Sequence, residues 1–84
     1  MPRRKKIKIV LNPLTGIWGC AYQDHNEIEL DERMDDRTML STAPHEVLHI
    51  LFPWLTEAAV DDAGEEIADV LWRLGFRRLE HGDE

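Results

Sequence analysis

Thiol chemistry is almost absent from this chain: Cys20 is the only cysteine in 84 residues. An intramolecular disulfide is excluded, which fits a reducing compartment and leads us to expect a cytoplasmic protein. With no second cysteine at ligand spacing, Cys20 reads as a small buried apolar group. Long apolar runs are missing as well. Nothing approaches the roughly 18 apolar residues of a membrane span, so no spanning helix is expected. The few alternating apolar residues after the basic start give way to Asn12 and Pro13, which does not make a secretory signal. Repeats, linkers and low-complexity segments are also lacking, so residues 1–84 read as a single domain.

Basic residues are scarce beyond the first eight positions. Arg3, Arg4, Lys5, Lys6 and Lys8 are five of the ten, and all 17 acidic residues lie after them, for a net charge of -7. A basic arm can contact phosphates, so a weak nucleic-acid contact is one expectation. The other is a solvated start to a first strand, or an arm lying on the protein's own acidic surface. The hydrophobic fraction of 43% argues for a folded globule. A core of this size is marginal and needs efficient packing, a metal or a partner.

What is present divides into two patterns. Period-two alternation over 6–11, the aromatic and β-branched run Ile17 to Tyr22, and Glu27 to Asp31 predict three strands. Turn residues separate them at 12–16 and at Asp24-His25-Asn26. Ile28 and Leu30 face inward on the last strand, which reads as the return of a hairpin. Gly19 marks a bulge or a close backbone approach.

From Asp35 the spacing becomes helical. Asp35 or Asp36 caps the start. Pro44 leaves two alternatives: a bent helix over about 36–52, or a short turn ending near Thr42 with a new helix after it. Pro53 ends the segment. Thr56 caps a second helix running to about Leu74, with Gly75 as its stop. Val60, Gly64, Ile67, Leu71 and Leu74 form its predicted apolar stripe, and small Gly64 and Ala68 let the first helix come close. The expected architecture is α+β: a small antiparallel sheet of about three strands, a meander, followed by two antiparallel helices.

The chemistry concentrates at His45-Glu46-Val47-Leu48-His49, an H-E-x-x-H motif in the first helix. Residues four apart share one helical face, so both imidazoles can address one ion. Zinc accepts histidine nitrogens, and a catalytic zinc site has three protein ligands with a fourth position open. Glu46 is then placed to take a proton from water.

The third ligand is sought on the second helix. If the chain reverses near 54–55, His49 lies opposite about 60 and His45 opposite about 64, which limits the search to about 60–66. With Val60 at zero on a 100° wheel, Asp61 falls at about 100°, Glu65 at about 140°, Asp62 at about 200° and Glu66 at about 240°. Only Asp61 and Glu65 border the apolar stripe. Asp61 is the first choice and Glu65 the alternative. Asp62, Glu66 and Asp69 read as a solvated face. His25, in a turn, and His81, in the tail, are not needed, though His25 approaches the site if the hairpin curls over. Trp18, Trp54 and Trp72 read as core or rim aromatics.

These segments resemble the zincin metallopeptidases, and more narrowly short bacterial and phage-type proteins of the SprT-like and ImmA/IrrE-like groups. Ile28-Glu29-Leu30-Asp31, Pro44 to His49 and the helix from Thr56 to Leu74 carry the resemblance. It implies zinc held by His45 and His49, Glu46 as general base, an edge strand near Glu27–Asp31 beside the site, and a third ligand from the following helix. Ile67-Ala68 resembles an aromatic-alanine pair that follows an acidic ligand in the ImmA-like group, which again points to Asp61. The usual ligand there is glutamate. The longer H-E-x-x-H-x-x-G-x-x-H signature is absent, since Phe52 and Leu55 occupy its later positions.

The leading expectation is a zinc-dependent metallopeptidase acting on a peptide or protein substrate. That substrate would add to the sheet edge, with Tyr22 or His25 as oxyanion helper. The alternative is a non-catalytic protein in which a metal staples the two helices.

Overall fold

Alternating strand residues and helical apolar spacing produce five elements in the expected order. These are β1 (Lys8–Leu11), β2 (Gly19–Tyr22), β3 (Glu27–Leu30), α1 (Asp36–Leu51) and α2 (Glu57–Arg73), with a 3-10 turn at Gln23–His25. The computed structural model describes residues 5–78. Arg3 and Arg4 of the basic arm, and His81, lie outside the described residues. The described lysines of the arm, Lys5, Lys6 and Lys8, are exposed. The fold is α+β, a three-stranded sheet followed by two helices. No helix among the described residues is long and apolar enough to cross a membrane.

The sheet is mixed, not the all-antiparallel meander expected. Its order is β1-β3-β2. β2 and β3 form the expected hairpin, with Tyr22 opposite Glu27, whereas β1 runs parallel to β3. The reason lies in the 12–18 loop. Asn12 N–H donates to the Leu30 carbonyl at 3.1 Å, and Asp31 N–H donates to the Trp18 carbonyl at 2.8 Å. Both ends of the loop are thus tied to the end of β3, and the chain crosses over that strand instead of folding back beside β1. Turn residues at 12–16 announce a reversal but not which side the chain returns on. In consequence the segment 27–31, expected at the edge beside the site, is the central strand, and β2 is the edge.

Asp31 locks this crossing. It is buried, and its carboxylate accepts from Leu14 N–H at 2.9 Å, from Arg33 N–H and Nε at 2.9 Å, and from Arg33 Nη2 at 2.6 Å. The Arg33 guanidinium and the Leu14 amide hold its pKa well below the usual carboxylate range.

α1 lies between the sheet and α2. Ile28, Leu30, Met34 and Ile50 form the core under it, with Ala21, Met39, Ala43 and Val47 packed alongside. β1 lies largely beyond this cover, so Ile9 is 63% exposed although its register partner Ile28 is buried. Cys20 is half-buried, not fully, because residues of β2 alternate in facing and Cys20 sits on the sheet side away from α1.

Asp35 caps α1 by accepting from Thr38 N–H at 2.8 Å, and the helix runs unbroken through Pro44. Thr56 caps α2 by accepting from Ala59 N–H at 3.1 Å. At its other end Gly75 takes φ +94°, with Gly75 N–H donating to Trp72 O and Phe76 N–H to Leu71 O, a Schellman closure. The buried face of α2 is Val60, Gly64 and Ala68. Ile67 and Leu74 of the predicted stripe are exposed, because among the described residues α2 packs chiefly on α1, through Val60, Gly64 and Ala68.

Two glycines set how tightly α1 is held. A Cβ at Gly19 would meet Thr42 Cγ2 at 2.9 Å and Glu46 Cγ at 3.2 Å, so β2 approaches α1 as closely as its sequence allows. A Cβ at Gly64 would lie 3.2 Å from the Ser41 carbonyl oxygen and 3.6 Å from His45 Cβ. Position 64 therefore faces His45, as the reversal near 54–55 requires, and the helices are antiparallel.

Two outcomes follow from these contacts. Gly64→Val should destabilise the protein by about 1–3 kcal/mol, the usual range for overpacking, measured by urea unfolding. Asp31 has a depressed pKa in the folded state, so its contribution is present above the unfolded carboxylate pKa of about 3.9 and is lost as pH falls through the folded value. Asp31→Asn should lower stability at neutral pH and flatten the acid limb of the stability–pH curve, checked by thermal melts between pH 2 and 7.

Candidate metal centre

The motif lies on the part of α1 gripped between β2 and α2, where Gly19 meets Glu46 and Gly64 meets His45. His45 and His49 follow each other by one helical turn, and their rings meet edge-on with centroids 4.9 Å apart. Their Nε2 atoms are 3.2 Å apart. Glu57, in the first turn of α2, brings one carboxylate oxygen to 3.0 Å from His45 Nε2 and 3.1 Å from His49 Nε2. Three potential ligand atoms thus form a nearly equilateral triangle.

Sequence reasoning selects Asp61 as third ligand, with Glu65 as alternative; the structure places Glu57 at that point instead. Asp61 is close by, but its carboxylate oxygen lies 3.1 Å from His45 Nδ1, behind the ring. Glu65 is turned to Arg37, at 3.1 Å. The helix pairing behind the expectation is correct, since position 64 does face His45. Glu57 lies outside the axial window of 60–66. Nε2 is the ring atom farthest from the backbone, and both rings carry it toward the start of α2. On the same wheel Glu57 falls at about 60°, inside the small-residue stripe, so its angular position was available as a signal. It reads at first as a charge complementing the helix N-terminus.

The tautomers sharpen the picture. A neutral His45 that donates Nδ1–H to Asp61 carries a lone pair on Nε2. That lone pair would then face a carboxylate oxygen at 3.0 Å, with the second imidazole nitrogen at 3.2 Å. Lone pairs so arranged need a cation or a proton between them. Ligand atoms around a tetrahedral zinc with bonds near 2.0–2.1 Å stand roughly 3.3–3.4 Å apart. Observed edges of 3.0–3.2 Å are close to that frame, and two imidazoles with one carboxylate suit zinc. The donor set therefore fits the ion. Asp61 would act behind it, holding His45 in the ligating tautomer. His49 is steadied from the backbone side, where Gln23 Nε2 donates to its carbonyl at 2.7 Å.

Glu46 points into the cleft from α1. It is only 8% exposed, and its side chain has no hydrogen-bond or ion-pair partner among the described residues. Burial pushes its pKa up, opposed by the neighbouring His45 and His49. Glu57, 70% exposed at its side chain, is held below the ordinary range, first by its hydrogen bond to His49. Two carboxylates beside the same histidines are thus driven in opposite directions.

Two recesses share Ile17, Gly19, His45 and Glu46 and make one cleft. One, of about 350 Å³, extends past Trp18, Thr42, Asp61 and Glu65. The other, of about 520 Å³, extends past Ala21, Gln23, His49 and Glu57. Tyr22 and His25 line neither. Tyr22 faces the opposite side of the sheet, where its hydroxyl donates to Glu29 at 2.9 Å and that bond helps push its pKa up to about 12. His25 packs edge-on against it at 6.5 Å. Neither is positioned to help at the centre.

Comparison with known protein families, with curated proteins and with solved structures gives no match. The geometry alone therefore speaks for the site.

Zinc titration distinguishes the two acidic positions. Asp61→Ala should weaken zinc binding by about 10–100-fold, the usual cost of losing a group that orients a ligand. Glu57→Ala should weaken it further. The reverse order would restore Asp61 as the ligand.

Proposed function

We propose that this protein is a zinc-dependent peptidase of minimal zincin type, acting on peptide bonds of peptides or proteins in a reducing, cytoplasmic compartment. One observation carries this reading: Glu46, a largely buried side chain whose carboxylate opens into the cleft without a partner among the described residues, shares that cleft with the triangle of His45, His49 and Glu57. His45 Nε2, His49 Nε2 and Glu57 Oε1 would hold the ion. Bound there, zinc supplies Lewis acidity, acidifying water near neutral pH and polarising a carbonyl.

The chain's own groups do the rest. Glu46 accepts the proton of the attacking water and delivers it to the leaving amine. Its partial desolvation suits this exchange, because a base of raised pKa gives up its proton less readily to bulk water. Asp61 fixes His45 through Nδ1–H. β2 has one ladder committed to β3, and its outer edge borders the cleft. An extended substrate adds there through main-chain hydrogen bonds.

A second reading is favoured by the thin core. Only six apolar side chains are buried among the described residues, and the triangle joins α1 to α2. On that reading the metal is a staple and the protein an interaction module.

Glu46→Gln separates the two. The peptidase reading requires that this variant bind zinc like the wild type while losing peptide hydrolysis by about 10²-fold or more, as removal of a general base does. Wild-type protein that is zinc-loaded, chelator-sensitive in its melting, and inert toward a broad peptide library would leave the staple.

A further inference from the structure

The two walls of the cleft differ in chemistry. One wall is β2 with the residues leading into it, where Ile17 is 53% exposed and Trp18 50% exposed. The other is α2, which presents Glu57, Asp61 and Glu65. No lysine or arginine lines either recess. Counting Glu46, four carboxylates face the cleft. A divalent ion and Arg37, paired with Glu65, do not cancel them, because Asp62 and Glu66 add two charges on α2 with no ionic partner among the described residues. Successive members of the α2 row Glu57, Asp61 and Glu65, about 6 Å apart along the helix axis, lie within a Debye length of about 8 Å at physiological salt, so neighbouring potentials add.

Spacing matches as well as charge. Passing along β2 from Gly19 to Gln23, the facing residues of α2 change from Glu65 and Asp61 to Glu57, so the acidic row runs beside the strand. Its members are four residues apart, about 6 Å along a helix axis. Alternate residues of an extended peptide are about 6.6 Å apart. A strand laid on β2 therefore sends every second side chain toward the next step of the acidic row, in which Glu57 and Asp61 contribute charge while bonded to the histidines and Glu65 stands clear of them.

We propose that the cleft selects extended cationic peptides, with basic side chains at alternate positions directed to the α2 carboxylates and an apolar residue against Ile17 and Trp18. The proposal rests on the substrate-binding reading of the cleft given above. Glu65 is a specificity-determining residue in it, since it lines the recess without touching the metal triangle.

The test is direct binding, independent of turnover. Zinc-loaded Glu46→Gln protein is titrated with labelled peptides of one length, alternating Leu with Lys, Gln or Glu, and followed by fluorescence anisotropy. The Lys peptide should bind about tenfold more tightly than the Gln peptide, and the Glu peptide more weakly still. Adding Glu65→Gln should cost the Lys peptide about two- to fivefold, the usual range for one exposed charge pair, and leave the Gln peptide unchanged. Glu32→Gln, which removes the same charge outside the cleft, should not alter the preference. Equal binding of the three peptides, or equal effects of the two substitutions, would overturn the proposal even if the wild type hydrolyses peptides. Selective binding with no wild-type hydrolysis would instead remove the peptidase reading and keep the cationic preference.

Discussion

Gly19 and Gly64 clamp α1 from opposite sides, and the closeness of that grip governs everything around the cleft. A side chain at 19 would strike Thr42 and Glu46, and one at 64 would press on the Ser41 carbonyl and His45. Without the first contact the edge strand would stand off from Glu46. Without the second, α2 would stand off from the imidazoles, and Glu57 would not span both. Glycine costs helix stability at position 64, and the close crossing is the return for that cost. So small a core has few other ways to fix two walls about one helix.

Within that frame identical functional groups acquire different duties. Glu46 is buried and unpartnered, Glu57 is exposed and bonded to histidine, Asp61 stands behind a ring, and Glu65 is paired with arginine. Environment, not residue type, separates them, as expected when burial and neighbouring charge act on carboxylates in opposite senses. Asp31, outside this group, uses the same chemistry to anchor the crossing loop at Leu14.

The readable parts of the chain were those with local causes. Asp35 and Thr56 as caps and Gly75 as a stop follow from neighbours within a turn, and Ile28 and Leu30 as core from alternation along one strand. Gly19 and Gly64 marked close approaches by their size, although their partners at Thr42, Glu46, Ser41 and His45 lie across the fold. His45, Glu46 and His49 were legible because an i, i+4 spacing fixes their face. The parallel pairing of β1 was not, because it depends on where the 12–18 loop bonds, a contact made across the sheet. Ile67 and Leu74 look like core by periodicity but face outward, since among the described residues α2 packs chiefly on α1. Glu57 was missed because a first-turn acid already has a local explanation. Its second use appears only when side-chain reach is added to helix pairing.

The triangle is also compact along the chain. His45, His49 and Glu57 lie within thirteen consecutive residues, joined by one short bend at Pro53 and Trp54. Closing so short a loop is entropically cheap, and contacts of low sequence separation form early. The helical hairpin can therefore bring its three donors together before the distant strands find their register, and an ion captured at that stage would act as a nucleus for the rest of the chain.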